Sequence, residues 1–185
     1  DLLKYYPSLS NTNDLDNKLQ KIYDDIKLPE RGTRDSAGYD FFLPHKISID
    51  LGGVIIVPTG IRCQMDSDLV LKLFPRSGHG FKYHTVFANT VGIIDADYYN
   101  SSNEGHIMIE IIYDGFATDK IGYISIDGDE IGKPLHPYKT MDIPRYLDFD
   151  KGTAICQGIF TPFHKVVGDE VDTVRDGGFG STDNK

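Results

Sequence analysis

Short apolar runs separated by turn sequences dominate the chain from Pro29 onwards. Each run is rich in β-branched or aromatic residues, the composition typical of strands. The predicted strands are Tyr39–Leu43, Ile47–Leu51, Val54–Val57, Leu69–Phe74, Val86–Asn89, Ile107–Tyr113, Ala154–Phe160 and His164–Val167. Turns such as Pro58-Thr59-Gly60 lie between them. Many short strands at regular spacing predict an all-β fold over residues 29–167, a jelly-roll-like sandwich or barrel.

Three regions do not follow this pattern of short, regularly spaced strands. In the polar N-terminal extension, residues 1–28, apolar residues recur at helical spacing and predict a short helix from about Leu15 to Asp25. Residues 114–150 predict a surface insert that is either a hairpin, because Ile121–Ile126 alternates and a turn follows it, or irregular. Residues 168–185 are polar and glycine-rich, which predicts a mobile tail that gains order on binding a ligand.

Composition and charge narrow the classes of function. The formal net charge of −9 disfavours a protein that coats nucleic acid, although a few cations suffice to bind one nucleotide. No apolar run approaches the length of a membrane span, and the N-terminus does not have the pattern of a signal peptide. The two cysteines, Cys63 and Cys156, lie in separate apolar runs without the spacing of a zinc site. We therefore expect a cytoplasmic protein with reduced thiols and no membrane association.

Five short segments carry the polar chemistry. Each is weak evidence alone, since an Arg-Ser-Gly sequence is commonly a turn and an aspartate in a hairpin commonly caps its own backbone. The segments are Ser36-Ala37-Gly38-Tyr39-Asp40, Pro75-Arg76-Ser77-Gly78, a predicted hairpin at Asn89–Tyr98, Gly152–Gln157, and Gly177-Gly178-Phe179-Gly180-Ser181-Thr182.

In order and spacing these segments resemble the five motifs of the trimeric dUTP diphosphatases, especially bacterial and phage members with an insert before the fourth motif. The resemblance covers most of the chain. It implies a jelly-roll subunit and a homotrimer with three active sites, each assembled from all three chains. The implied activity is Mg²⁺-assisted hydrolysis of dUTP to dUMP and pyrophosphate, which limits uracil in DNA and supplies dUMP for thymidylate synthesis. The implied location is the cytoplasm, or the host cytoplasm for a phage protein.

The resemblance also assigns the residues that act on the phosphates. Asp95 is the candidate general base for the water that attacks the α-phosphorus. Asp40 is expected to hold a water of a magnesium ion that is itself bound mainly by substrate phosphates. The candidate phosphate ligands are Arg76, Ser77, Gly78 and Gln157.

The resemblance assigns recognition of the base and the sugar to its third motif, the segment Asn89–Tyr98. It assigns closure of the site to the C-terminal tail. Backbone groups at Asn89, Gly92, Ile93 and Ile94 are expected to read uracil as a pairing base would. Tyr98 is expected to lie against the deoxyribose and exclude a 2′-hydroxyl. In the tail, Phe179 would stack over uracil. The tail residues expected to close on the γ-phosphate are Arg175, Gly180, Ser181 and Thr182.

Two alternatives stay open. A dCTP deaminase, or a bifunctional deaminase and diphosphatase, shares the fold, although Ile94-Asp95-Ala96-Asp97-Tyr98 has the diphosphatase pattern. The insert at 114–150 lies outside the five motifs, and it could bind a regulatory protein such as a repressor or be surface decoration. The chain also departs from the usual pattern, since His79 and Gly80 follow Arg-Ser-Gly where small or apolar residues are usual.

Overall fold

The computed structural model describes residues 15–114, 124–126, 129–131, 143–175 and 177–178. Within these ranges strands predominate, which confirms the predicted all-β class. The predicted ligands Phe179, Gly180, Ser181 and Thr182 lie outside the described residues, as do residues 1–14 and most of the predicted insert. None of the helices in the described ranges is long and apolar enough to cross a membrane.

Two α-helices and one 3-10 helix occur in the described ranges: α1 (Leu15–Asp24), α2 (Ser77–Tyr83) and the 3-10 helix at Ala96–Asn100. The strands there are β1 (Glu30–Arg31), β2 (Tyr39–Phe42), β3 (Ile47–Asp50), β4 (Val54–Pro58), β5 (Leu69–Pro75), β6 (Thr85–Phe87), β7 (Gly92–Asp95), β8 (Met108–Tyr113), β9 (Ile124–Ile126), β10 (Asp129–Ile131), β11 (Tyr146–Phe149) and β12 (Ala154–Pro162).

All the strand pairs in these ranges are antiparallel, as expected for a sandwich whose strands are joined by turns. A five-stranded sheet has the order β1-β2-β12-β5-β7, and a three-stranded sheet has the order β4-β8-β6. Strands β3 and β11 form a separate pair, as do β9 and β10. The sheets formed by the described residues stay open, so the fold is a sandwich and not a closed barrel.

One core lies between the sheets and joins residues from both, including Leu71 and Leu73 of β5 and Ile109 and Ile111 of β8. Along β8 the buried positions alternate with less buried ones, the pattern of a strand with one face on the core. In β12 a bulge between Ala154 and Cys156 interrupts the register with β2. Bulges redirect the side chains that follow them.

The sequence predicted most of these elements. The helix expected from about Leu15 to Asp25 is observed as α1, and seven of the eight predicted strand runs contain a strand. Within the segment predicted as an insert, β9 pairs with β10 in antiparallel orientation. The run His164–Val167 is a wrong prediction, because no strand forms there and Val166 and Val167 are exposed.

Two further expectations need correction. Residues 89–98 do not form a hairpin of their own: β7 pairs with β5, whereas β6 before it pairs with β8 in the other sheet. Residues 146–149, which the sequence placed in the insert, form β11 on β3. Because Leu147 and Phe149 are buried in the core, this end of the 114–150 segment belongs to the main fold.

Helix α2 was not predicted, since the sequence indicated only a turn at Ser77-Gly78. Its two glycines, Gly78 and Gly80, make it a poor helix by propensity. Tertiary contacts outweigh that cost, because His79 on this helix is buried against Phe149 and its Nε2 lies 3.2 Å from the Ala154 carbonyl oxygen. The helix ends at His84, which has a left-handed conformation with φ 53°.

Candidate active site

A cavity of about 280 Å³ lies beside β7. Of the predicted site residues it is lined by Asn89, Gly92, Ile93, Ile94, Asp95, Tyr98 and Arg175. Four lining residues were not predicted as ligands: Leu73, Val91, Met108 and Gly178. One cavity therefore brings together the predicted base, the predicted uracil-reading segment, the predicted sugar-contacting tyrosine and part of the tail.

The pairing of β7 with β5 determines where the cavity residues lie. Gly92 lies opposite Leu73 and Asp95 opposite Val70. A side chain at position 92 would begin only 3.1 Å from the Leu73 Cβ, so glycine lets the strands pack closely here. Strand β7 is also the last strand of this sheet in the described ranges. Its outer edge consequently presents backbone groups that no neighbouring strand in those ranges pairs.

Tyr98 forms a wall of the cavity and is held by hydrogen bonds at both ends. Its ring is buried, and its hydroxyl donates to the His106 carbonyl at 2.9 Å and accepts from Asn103 Nδ2 at 2.6 Å. Its carbonyl accepts from Ser101 Oγ at 2.7 Å. The segment from Ser101 to His106, which provides these partners, was not predicted as support for the site. Tyr98 is thus a rigid surface and not a mobile lid.

Acidic side chains lie at the mouth of the cavity with one arginine between them. Arg175 Nη2 donates to Asp95 Oδ2, and Arg175 Nε donates to Asp97 Oδ1 at 2.8 Å. Gly178 lies against the edge of the Tyr98 ring, since a Cβ there would be 2.6 Å from Tyr98 Cε2. The sequence assigned Arg175 a role on phosphate but did not predict its contacts with Asp95 and Asp97.

The predicted phosphate ligands lie apart from this cavity. Arg76 precedes α2, Ser77 and Gly78 form its first turn, and Gln157 lies on β12. Two adjoining cavities of about 650 Å³ and 360 Å³ are lined by these residues, and Arg76 and Ser77 line both. The phosphate set, which we define as Arg76, Ser77, Gly78 and Gln157, thus shares no lining residue with the cavity beside β7.

Asp40 and Gly38 lie within the same group. The Asp40 carboxylate pairs with Arg76 Nε at 3.1 Å and lies opposite Gln157 in the register of β2 and β12. A Cβ at position 38 would be 2.6 Å from Gln157 Oε1, so glycine is needed for the amide to lie there. Among the described residues no group of three acidic, histidine or cysteine side chains is arranged to hold a metal ion. A magnesium ion here would rely on oxygens from substrate and water, which fits the preference of this ion.

His79 ties α2 to the strands around it. Its ring nitrogens lie 3.3 Å from Thr85 Oγ1 and 3.2 Å from the Ala154 carbonyl oxygen. Burial lowers the pKa of His79, the hydrogen bond to Ala154 opposes this change, and the charge of Arg76 adds to it. The neutral imidazole is therefore the form that stabilises the position of Arg76 and Ser77.

The fold is an all-β sandwich with a cavity along an edge strand and acidic groups at the mouth of that cavity. A separate set contains an arginine and an amide. Together these features define a class of protein that binds an anionic small molecule. The dUTPase family model matches residues 24–113. The deoxyuridine 5'-triphosphate nucleotidohydrolase of Lactococcus lactis subsp. lactis is 32% identical over 160 residues, which cover 85% of this chain and 88% of the relative. The chain therefore belongs to the dUTPase family.

Solved structures agree with this membership. The dUTPase of Streptococcus mutans aligns with a TM-score of 0.58 and 32% identity, covering 78% of this chain and 91% of that one. The dUTPase of Staphylococcus bacteriophage 80alpha aligns with a TM-score of 0.55 and 25% identity, covering 80% of this chain and 91% of that one. The phage structure was described together with the finding that phage dUTPases control the transfer of virulence genes.

Acid should destabilise this protein partly through His79. Because its folded pKa lies below the unfolded value of about 6.5, the unfolded chain binds the proton first as the pH falls. The stabilisation from neutral His79 is fully present above the unfolded pKa, and it is lost as the pH falls through the folded pKa. Between pH 7.5 and 5.5 we expect the Tm of His79→Gln to fall less than that of the wild type. The difference should be about 2–4 °C for each kcal/mol of unfolding free energy that the wild type loses through protonation of His79.

Thermal unfolding of wild type, His79→Gln and His164→Gln at both pH values measures this effect. His164 is exposed after β12, so its variant should follow the wild-type profile. Equal drops in all three proteins would contradict a role for His79 in acid stability.

Proposed function

We propose that this protein hydrolyses dUTP to dUMP and pyrophosphate in the cytoplasm of its cell or, if the gene is carried by a phage, of the host. The observation that carries the proposal is the cavity beside β7. There Tyr98 and Asp95 meet the outer edge of β7, which no other strand of the described ranges pairs. Membership of the dUTPase family supports the reaction. Such an enzyme limits uracil in DNA and supplies dUMP for thymidylate synthesis.

Uracil is recognised by the free edge of β7. A strand edge offers alternating N–H and C=O groups, which can pair with the N3–H and carbonyl oxygens of uracil. Cytosine presents a donor where uracil presents an acceptor, and a buried mismatch of this kind discriminates strongly. The close contact of Gly92 with Leu73 supports a narrow slot that excludes the methyl group of thymine.

The sugar and the attacking water lie at the two ends of the same cavity. The buried ring of Tyr98 stands against the deoxyribose, and its fixed position leaves no room for a 2′-hydroxyl. Asp95 accepts the proton of the water that attacks the α-phosphorus. Its carboxylate is about half exposed, so a water molecule can reach it.

The phosphate set neutralises the charge that develops during the reaction. Arg76 offers two N–H groups, Ser77 a hydroxyl and Gln157 an amide to the phosphate oxygens. Gly78 offers a backbone N–H with open space around it. Mg²⁺ would supply further charge neutralisation when bound, and Asp40 would hold one of its waters. The pairing of Asp40 with Arg76 keeps that carboxylate beside the phosphates.

One chain alone does not bring the general base to the phosphate set. Asp95 on β7 lies opposite Val70 of β5. Gln157 lies on β12, on the other side of β5, opposite Phe74. At about 3.4 Å per residue and 4.8 Å per strand, the two backbones are roughly 16 Å apart. This separation within one chain supports a site that is shared between chains.

A second chain closes this gap. The cavity of one chain then faces the phosphate set of its neighbour. Such an interface joins two different surfaces, and it forms a closed ring when the rotation between neighbours closes. Exposed apolar side chains beside the phosphate set support such an interface, since Phe81 is 64% and Val86 41% exposed. We propose a homotrimer, the assembly that the family resemblance implies.

The reaction is tested by replacing the general base. Asp95→Asn should bind dUTP nearly as wild type does but turn it over about 10²–10⁴-fold more slowly, since a proton acceptor is lost. Asp66→Asn, which alters an exposed aspartate shortly before β5, is the control and should keep wild-type turnover. The measurement is pyrophosphate release with dUTP, dCTP, dTTP and UTP in the presence of magnesium.

Near-normal turnover in Asp95→Asn would remove that residue from the role of base. Ammonia release from dCTP would instead favour the deaminase that shares this fold. The match to the dUTPase family and the diphosphatase pattern around Asp95 favour pyrophosphate release from dUTP alone.

Sharing of the site between chains is tested by mixing two inactive variants. Heterotrimers of Arg76→Ala and Asp95→Asn chains, selected with two affinity tags, should recover about a third of wild-type activity, because one of three sites pairs an intact cavity with an intact phosphate set. Each homotrimer should stay inactive. Failure of the heterotrimers to recover activity would contradict the shared site.

A regulatory protein partner is the second candidate function. The hairpin of β9 and β10 pairs with no strand of the other sheets in the described ranges. The phage 80alpha relative, described with the control of virulence-gene transfer by phage dUTPases, supports a regulatory role. We propose that this hairpin contacts a regulator such as a repressor.

Deletion of the hairpin separates regulation from catalysis. Tyr113 donates to the Pro144 carbonyl at 2.7 Å and Leu51 donates to the Arg145 carbonyl at 2.7 Å, so the deletion must stop before Pro144. Replacing residues 118–141 with a short Gly-Ser linker should abolish binding of candidate repressors in calorimetry and keep dUTP turnover within about twofold. Loss of turnover together with binding would show that the segment is structural.

A further inference from the structure

The segment that follows the 3-10 helix fixes the far end of the Tyr98 side chain. The Tyr98 hydroxyl donates its proton to the His106 carbonyl at 2.9 Å. The same hydroxyl oxygen accepts a hydrogen bond from Asn103 Nδ2 at 2.6 Å. Because a carbonyl oxygen can only accept, the partner on the other side of the hydroxyl has to be a donor. The amide of Asn103 meets this requirement, and an ionised carboxylate or an apolar side chain at position 103 would not.

Asn103 is itself held through its side chain and its main chain. Its Oδ1 lies 2.6 Å from the buried Ser101 Oγ, which in turn lies 2.7 Å from the Tyr98 carbonyl oxygen. The backbone carbonyl of Asn103 accepts the His106 N–H at 3.2 Å. Turning the amide away from the tyrosine hydroxyl would therefore break its contact with Ser101.

The backbone of this segment has an uncommon conformation. Glu104 has φ 62° and Gly105 has φ 67°, so two consecutive residues lie in the left-handed region. Glycine adopts this region readily, but for glutamate it is uncommon and costs free energy. A Cβ at position 105 would lie 2.7 Å from Tyr99 Cα, so glycine is needed for the loop to pack on the 3-10 helix. Such strain persists only where the surrounding structure enforces it, and it is frequent at binding sites.

The two partners of the Tyr98 hydroxyl differ in how deeply they are anchored. His106 Nε2 accepts the Gly60 N–H at 3.0 Å, and the next residue, Ile107, is fully buried. The acceptor is thus part of the main body of the subunit. Asn103 is only half-buried and belongs to the loop. A substitution of Asn103 can therefore loosen the tyrosine hydroxyl without opening the core.

We infer that Asn103 determines the preference of the site for deoxyribose over ribose, because it holds the Tyr98 ring at the wall of the cavity. It is a positioning residue, since it acts through Tyr98. A 2′-hydroxyl adds an oxygen on the side of the sugar that faces the ring, so ribose can enter only if the ring moves back. The ring cannot move back without breaking the bonds at its hydroxyl. This inference rests on the proposed contact between Tyr98 and the deoxyribose.

The test is the ratio of kcat/KM for dUTP to kcat/KM for UTP. Asn103→Leu keeps the approximate size of the side chain and removes the donor, so the ratio should fall about 3–10-fold, the range that one net hydrogen bond provides. The fraction of folded enzyme cancels in this ratio, so a partly unfolded variant still gives a valid result. A purely structural role would lower both kcat/KM values equally, and an unchanged ratio would overturn the inference.

Asn100→Leu is the matched control. Asn100 is exposed at the end of the 3-10 helix, so the same substitution there should keep the wild-type ratio. A fall of equal size in both variants would contradict the inference, because the effect would then not depend on the contact with the Tyr98 hydroxyl.

Tyr98→Phe shows whether Asn103 acts through that hydroxyl. Alone, this substitution should lower the ratio at least as much as Asn103→Leu does, since the ring loses both bonds at its far end. Adding Asn103→Leu to Tyr98→Phe should then cause no further fall. A further fall of the size that Asn103→Leu causes alone would show that Asn103 acts by another route.

Binding of the monophosphates separates this inference from the proposed reaction. Calorimetric titration with dUMP and UMP reports the choice of sugar without turnover, and the ratio of the two affinities should fall in Asn103→Leu as the kinetic ratio does. If wild type releases no pyrophosphate from dUTP, the proposed reaction fails, and the two affinities still decide the role of Asn103. Equal affinities of wild type for dUMP and UMP would overturn the contact of Tyr98 with the sugar, and the inference with it.

Discussion

Strand β5 pairs with β7 on one side and β12 on the other, and the two registers set the distances on which the function depends. The β7 register places Asp95 at the beginning of β5, and the β12 register places Gln157 near its end. A strand is stiff and its register cannot slip by one residue without turning buried Leu71 and Leu73 to the other face. The separation of Asp95 from Gln157 within one chain is thus fixed by the packing of the core.

The tail is held differently from the cavity. Tyr98 is buried and held by hydrogen bonds at its hydroxyl and its carbonyl, whereas Arg175 pairs with two carboxylates that are each about half exposed. Ion pairs of this kind contribute only about 0–1 kcal/mol. Arg175 is therefore held by weaker interactions than Tyr98.

Local sequence patterns predicted most of the strands and α1, because strand composition and helical spacing are properties of neighbouring residues. The candidate site residues came from the family resemblance and not from such patterns. They did not predict α2, since its glycines disfavour a helix and its support comes from His79 bonding to Ala154, 75 residues away. The pairing of Arg175 with Asp97, 78 residues apart, is equally invisible to a local pattern. The hairpin expected at Asn89–Tyr98 failed for the same reason, because β7 pairs with β5 and not with its neighbour in sequence.

The central claim is that the cavity of one chain acts on phosphates held by the next. A crystal structure with magnesium and a non-hydrolysable imido analogue of dUTP tests it most directly. We expect uracil on the edge of β7, a water between Asp95 and the α-phosphorus, and Arg76 and Gln157 of the neighbouring chain on the phosphates. Phosphates bound by Arg76 and Gln157 of the chain that holds the uracil would contradict it.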